Sequence, residues 1–422
     1  MLVIGLLIFV VLLIIGAPIW LSLGLSGGVL VFVIMGLPLE TIVSQFLKAT
    51  DNWILLAIPY FLLAGNLMTY LGTAKKMLGF INNLIGHLPG GMPSAAVIAA
   101  AIFGALSGSS TATVIAVGSM VIPQMVALGY SKENSMGIVA TAGTLGQMIP
   151  PSIFMIIYAS MTQLDVGQLF IAGFIPGILI SIILIITSVI VSLREKTEMK
   201  PRSSLKEIIR SFFEALPALI MPIIVLGGIY KGLFTPTEAA AISVVYVLIV
   251  SFIFNRSEFS MDGIKKSLVN SMVTTAVIYL LLCGATLFST ALTFAQIPQQ
   301  ITEFVANLAL PGWLIMIAIL ILFLIFGCFL DAVPILYITI PILFPTVIAL
   351  GYDPIHFGII TIACMMVGQI TPPVGVSLFV ISGHFKEKLS VVIKGTAPYL
   401  LALVVATLVL LYVPWFSTAL TS

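Results

Sequence analysis

The sequence predicts an all-α polytopic membrane protein with an inverted internal repeat, two re-entrant helical hairpins and two broken transmembrane helices. Three observations predict it: the composition, a set of long charge-free runs, and one motif that occurs twice. Of 422 residues, 60% are hydrophobic and 8% are charged, against roughly a quarter charged in soluble domains. The mean hydropathy is +1.25, a value that belongs to chains crossing a bilayer many times. With 17 Lys or Arg and 15 Asp or Glu, the net charge is only +2, which is no footprint for a nucleic acid. This composition excludes a soluble enzyme, a disordered chain and a nucleic-acid binder.

Residues 1–39 carry no charge and no basic start, so they read as membrane-embedded rather than as a signal peptide. A break is expected near Gly16-Ala17-Pro18. Either one broken helix or two short passes fits. Charge-free runs then cover 92–130, 134–164, 166–193, 267–302, 304–330, 332–352, 354–385 (two His aside) and 395–422. A helix needs about 20 apolar residues to cross the hydrocarbon core, so about 10–12 crossings plus re-entrant pieces are expected. Arg194, Lys196, Lys200, Arg202, Lys206 and Arg210 crowd into 194–210. The positive-inside rule places that loop in the cytoplasm, as a linker between two halves.

The halves repeat at an offset of 222. Pro123, Ala127, Leu128, Gly129 and Tyr130 match Pro345, Ala349, Leu350, Gly351 and Tyr352; Ile138, Gly146, Gln147, Pro150 and Pro151 match Ile360, Gly368, Gln369, Pro372 and Pro373. Apolar bias does not produce an ordered Gly-Gln-x-x-Pro-Pro twice. Loop charge gives the orientation. Gln163-Leu164-Asp165 has no base, while its equivalent holds Lys386 and Lys388. Lys75, Lys76 and His87 face a stretch, 296–312, with Glu303 and no base. Matched loops therefore lie on opposite sides, which is an inverted repeat.

Within each repeat, 134–164 and 354–385 would be about 46–48 Å long as straight helices, against a core of about 30 Å. Each has a Pro-Pro pair near its middle. Proline leaves the carbonyl at i−4 without its helical donor. Gly146, Gln147, Gly368 and Gln369 thus expose carbonyls near the midplane, where such groups survive only in protein or facing a wet cavity. A plain proline kink is the alternative for one copy, but two inverted copies favour a functional break. Ahead of the first break, Ser107-Gly108-Ser109-Ser110-Thr111-Ala112-Thr113 sits centrally in 92–130. Lys76 and Lys132 bracket that run, so it reads as a hairpin with its tip at the midplane. The alternative is a single span using Gly104 and Gly108 for packing. The matching tip is 327–334, with Asp331 opposite Ser109. A carboxylate so deep is costly and functional unless it snorkels at a helix end. Glu238 lies nearer an interface. Residues 72–90 and 296–312 read as amphipathic arms or as plain loops.

The divisions follow: 1–91, first-half scaffold and arm; 92–164, first hairpin and broken helix; 165–303, scaffold with the cytoplasmic linker and second arm; 304–385, second hairpin and broken helix; 386–422, a C-terminal scaffold helix. Cys283, Cys328 and Cys364 lie in apolar runs and read as fillers, and His87, His356 and His384 have no metal-ligand spacing.

The tip 107–113, the Ala-Leu-Gly-Tyr after it and the twin Gly-Gln-x-x-Pro-Pro elements resemble the large membrane subunit of tripartite ATP-independent periplasmic (TRAP) transporters. So do residues 58–68 (Ile-Pro-Tyr-Phe-Leu-Leu-Ala-Gly-Asn-Leu-Met) and 235–241 (Thr-Pro-Thr-Glu-Ala-Ala-Ala). The resemblance covers essentially the whole chain and leans toward the sialic-acid branch rather than the dicarboxylate branch. It implies a secondary transporter, not an enzyme, in the bacterial inner membrane. It implies a sodium gradient as the driving force, at least two sodium ions, and elevator motion of hairpins and broken helices against a scaffold. It implies a small membrane subunit and a periplasmic substrate-binding protein that delivers an organic acid. Carried onto this chain, one sodium falls to Ser107, Ser109, Gly146, Ile149 and Pro151, and a second to Gly327, Asp331, Gly368, Thr371 and Pro373. Thr371 stands where the first copy has Ile149, so only the second site gains that hydroxyl. The substrate carboxylate falls to Ser110, Thr111 and Thr113, with Gln147 and Gln369 and the N–H groups at the broken-helix starts. Rival readings are a proton-coupled carrier with Asp331 as relay, an intramembrane serine protease using Ser109, and a passive channel. The protease lacks a histidine at membrane depth, and inverted broken helices fit alternating access better than a fixed pore.

Overall fold

The computed structural model describes residues 2–195, 197, 201–308 and 310–421, so Lys196 and Lys200 of the basic loop lie outside the described residues. Helices account for the regular structure of these residues. The chain opens with α1 (Leu2–Ile14) and α2 (Ile19–Gly28), which continues into a π-helical turn at Val29–Ile34. Gly16 turns the chain at φ +84, and Gly5 of α1 lies against Leu30. Residues 2–34 are therefore two short antiparallel pieces, settling what the sequence left open. Next come α3 (Leu39–Thr50), α4 (Ala57–Tyr70) and the arm α5 (Thr73–Ile85). The first hairpin is α6 (Gly91–Ser107) and α7 (Ser110–Ala127); the first broken helix is α8 (Lys132–Gly143) and α9 (Ile153–Thr162).

Three long helices follow α10 (Val166–Ser192): α11 (Leu205–Tyr230), α12 (Pro236–Phe254) and α13 (Met261–Phe294). The N-termini of α11 and α12 are fixed by capping boxes, Ser204 with Glu207 and Thr235 with Glu238. Glu238 is thus a cap at an exposed helix start. The second arm is α14 (Ile297–Asn307), the second hairpin α15 (Gly312–Phe329) and α16 (Ala332–Ala349), and the second broken helix α17 (Pro354–Gly368) and α18 (Val376–Phe385). The chain closes with α19 (Leu389–Tyr412) and α20 (Trp415–Thr418).

Among the described residues, nine helical stretches are long and apolar enough to cross a membrane. Three of them, α7, α15 and α16, are hairpin arms that turn back, and shorter apolar helices, among them those of the two broken helices, add to the long spans. Following the chain from loop 194–210, every described basic residue except Lys48 and Lys231 falls at the same end of the molecule as that loop. That end is cytoplasmic by the positive-inside rule. The first hairpin enters from it and the second enters from the opposite end, as an inverted repeat requires.

Packing forms two groups. In one, α2 and α4 lie along α13, and α12 lies along α4. Gly24 of α2 meets Gly284 of α13, which lets the two backbones approach. In the other, α19 packs on α8 and α17, and α10 packs on α6, α17 and α19. The division above assigned α10 and α19 to the scaffold, but their packing places them with the hairpins and broken helices. The offset of 222 also relates Gly173 to Gly395 and Pro176 to Pro398, so α10 and α19 are themselves repeat partners. Between the groups, Gly65 of α4 rests on Ser107 at the first tip; a Cβ there would lie 2.5 Å from Ser107 Cα.

Candidate functional site

Each repeat brings a hairpin tip against a helix break. At the first tip α6 stops at Ser107, Gly108 takes φ +59, and Ser109 is extended and caps α7 by accepting from the Ala112 N–H. A left-handed residue here is cheap only for glycine. Thr113 Oγ1 donates to Ser109 O at 2.7 Å and lies 3.1 Å from Ser107 Oγ. Ser109 Oγ and Thr111 Oγ1 are 3.1 Å apart. Hydroxyl and carbonyl oxygens are thus concentrated in one turn. At the second tip Leu330 is extended and Asp331 caps α16, its carboxylate accepting from the Ala332 N–H at 2.8 Å. Ser109 and Asp331 therefore hold the same structural post.

Both breaks form where the prolines stand. After α8 a short 3-10 turn, Thr144–Gln147, leads to residues 148–152, and α17 stops at Gly368 before residues 369–375. Both Pro-Pro bonds are cis. Of the four freed carbonyls, Gln147 O accepts from Ser152 Oγ at 2.5 Å, Gly368 O from the Thr371 N–H at 3.0 Å, and Gln369 O from the Ser377 N–H at 3.1 Å. They are not bare, but a carbonyl has two lone pairs and one hydrogen bond leaves the second. The Gly375 N–H also donates to Cys328 O at 3.0 Å, tying the second break to its hairpin.

Glycines set the distance between tip and break. A Cβ on Gly104 would fall 2.5 Å from Gly146 Cα, and one on Gly327 would fall 2.7 Å from Gly368 Cα. Gly146, Gly327 and Gly368 are thus the points where hairpin and break cross in contact, whatever else their carbonyls do. Among the other expected residues, Ser107, Ser110, Thr113 and Pro151 are buried, and Thr111, Ile149 and Thr371 are half-buried. Thr371 Oγ1 donates to Val367 O at 2.7 Å. Pro373 is exposed.

The two sites are one structure. Gln147 Nε2 donates to Ser110 Oγ at 2.6 Å and to Gln369 Oε1 at 2.5 Å; Gln369 Nε2 donates to Asp331 Oδ1 at 2.6 Å. Gln147 is 0% and Gln369 1% exposed. Their numbers differ by the repeat offset, so the pseudo-two-fold axis passes through this amide pair. Both glutamines spend amide N–H groups on protein partners, a linking position the sequence did not reveal. Ser152 and Ser377, which hold the freed carbonyls, were also missed; each follows its Pro-Pro pair closely, the one signal that could have found them.

A family model described as "Tripartite ATP-independent periplasmic transporter, DctM component" matches residues 6–416. The chain belongs to this family. It is 42% identical over 399 residues to the C4-dicarboxylate TRAP transporter large permease protein DctM of Pseudomonas aeruginosa, covering 94% of this chain and 93% of that one. It is 31% identical to the sialic acid TRAP transporter large permease protein SiaM of Vibrio cholerae, covering 89% and 87%. Similarity to the dicarboxylate relative is the greater, the reverse of the lean toward the sialic-acid branch. Among solved structures, the YdaH transporter of Alcanivorax borkumensis superposes with a TM-score of 0.62 at 12% identity, covering 89% of this chain and 88% of that one. At that identity the likeness is of fold alone. A DctM component is a large permease and a multi-pass membrane protein, working with a periplasmic binding protein and a small membrane subunit as a tripartite system.

Proposed function

We propose that this DctM component imports an organic acid across the bacterial inner membrane, driven by a sodium gradient. The observation that carries the reading is the continuous link Ser110–Gln147–Gln369–Asp331, which joins two inverted tip-and-break units. Sodium is a co-substrate here, held by oxygen. The first ion goes to the turn of Ser107 and Ser109 facing Gly146, Ile149 and Pro151. Gln147 Oε1, buried without a hydrogen-bond partner, is a further oxygen there. The second ion goes to Asp331 and Thr371 facing Gly327, Gly368 and Pro373. Among the described residues no three His, Cys, Asp or Glu side chains come together, so carbonyls and hydroxyls, with one carboxylate, do the holding. Such oxygen sets suit sodium at broken helices.

The substrate carboxylate lies between the tips. Thr111, with Ser110 and Thr113 behind it, offers hydroxyls, and the N-termini of α7, α9 and α18 add positive dipole ends. The amide pair of Gln147 and Gln369 holds the tips together beneath. The hairpins, broken helices, α10 and α19 move as one elevator body. They slide on α4 and α13, where Gly65 permits a close fit at Ser107. The periplasmic protein delivers the acid, and the small membrane subunit braces the scaffold.

The test is uptake in proteoliposomes holding the chain co-purified with its small membrane partner and supplied with the binding protein. A C4-dicarboxylate and sialic acid are each offered with and without an inward sodium gradient. Uptake that needs both sodium and the binding protein supports the reading, and the acid that enters names the substrate. Uptake driven by protons without a binding protein would replace it with a proton-coupled carrier using Asp331.

A further inference from the structure

Away from the tips, a crevice of about 620 Å³ opens between α3, α9, α13 and α16. It lies at the end opposite loop 194–210, because Gln163 and Thr293 on its rim close α9 and α13 on that side. This is the periplasmic end. Lys48 is the one charged residue lining it. Lys48 is exposed and, among the described residues, makes no ion pair or hydrogen bond. Among the described Lys and Arg residues it is one of two at this end, the other being Lys231. Asn52 and Gln163 add amide groups, and Thr290 adds a hydroxyl. Tyr337 also lines the crevice, 3% exposed, and its buried hydroxyl has no hydrogen-bond partner.

We propose that this crevice is a second binding site, a periplasmic waiting site for the organic anion before it reaches the tips. Lys48 attracts and pairs with the carboxylate, and Asn52, Gln163 and Thr290 offer polar groups around it. A cation at the mouth of a low-dielectric cleft raises the local concentration of anions. The site therefore takes small organic acids and excludes cations, whether the acid arrives free or is handed over by the binding protein. The proposal rests on the reading above that an organic acid is the cargo.

The test reads the crevice without using transport. Thr290→Cys is made in a chain whose Cys283, Cys328 and Cys364 are replaced by serine, reconstituted with its small membrane partner. Two thiol reagents of similar size are added from the periplasmic side: 2-sulfonatoethyl methanethiosulfonate, an anion, and the trimethylammonium analogue, a cation. The anion is expected to react about 3- to 10-fold faster. Lys48→Gln is expected to abolish that preference, and Lys48→Arg to keep it. Equal rates with Lys48 present, a preference that survives Lys48→Gln, or no reaction with either reagent, as in a lipid-filled crevice, each overturns the proposal. In uptake, Lys48→Gln is expected to raise the half-saturating substrate concentration without changing sodium dependence. Failure of sodium-driven uptake in the unaltered chain would instead sink the functional reading, so the two failures are told apart.

Discussion

In the first repeat the Pro150–Pro151 break is buried, whereas in the second Pro372 and Pro373 face outward. Each break is held to its tip by its glutamine, Gln147 on Ser110 and Gln369 on Asp331, and the second has a backbone tie as well, Gly375 on Cys328. The first tip has hydroxyls and a left-handed glycine, and the second has a carboxylate and an extended leucine. What both keep is the glycine crossing and the central glutamine. The inverted repeat thus preserves the glycine crossing and the glutamine and varies the groups around them, so the two proposed cation sites are chemically unequal.

Replacing Pro150 and Pro151 by Ala should have the largest effect. The helix can then close through a buried break, at a scale of about 3 kcal/mol, and uptake should fall about 100-fold. The same change at Pro372 and Pro373 should cost about tenfold, because that break is exposed and less constrained by its surroundings. Equal losses in the two variants, measured as initial uptake per reconstituted protein, would break the contrast.

Asp331→Asn keeps the size, the cap and an acceptor for Gln369 but removes the charge. The half-saturating sodium concentration should rise about 10- to 100-fold, on a loss of about 1.5–3 kcal/mol for a charged partner. Co-purification with the small subunit should be unchanged. Unaltered sodium activation in this variant would remove Asp331 from the second site. Thr371→Ile makes the second break resemble the first and should raise the sodium requirement about 3- to 10-fold. The reciprocal Ile149→Thr should not raise it, which sharpens the contrast between the copies. Ser110→Ala removes the acceptor for Gln147, a matter of about 1 kcal/mol, together with a hydroxyl offered to the substrate. It should show as a lower thermal midpoint in detergent with sodium affinity nearly unchanged.

Much of this arrangement was legible in the sequence because it rests on repetition and local chemistry. Two Pro-Pro pairs at the same offset locate both breaks, and the offset sets Asp331 opposite Ser109, while their shared role as helix caps is visible only in the fold. Run length is a poorer guide. It shows that 166–193 and 395–422 are membrane helices but not that α10 and α19 pack on the hairpins and broken helices. The contact of Gln147 with Gln369 was hidden for a different reason. The repeat shows that they are equivalent, and only the folding of one copy against the other shows that they meet. The unequal exposure of the two Pro-Pro pairs has the same origin, since it depends on neighbours distant in the chain.

The central claim is that the two unequal sites act as one unit through the Gln147–Gln369 pair. The most direct measurement is the steepness of sodium activation of uptake in proteoliposomes, compared with Gln369→Leu, a variant of similar volume whose assembly is checked by co-purification. The account predicts a Hill slope above one in the unaltered chain, falling toward one when the amide link is cut. An unchanged slope in a fully assembled Gln369→Leu complex would contradict it.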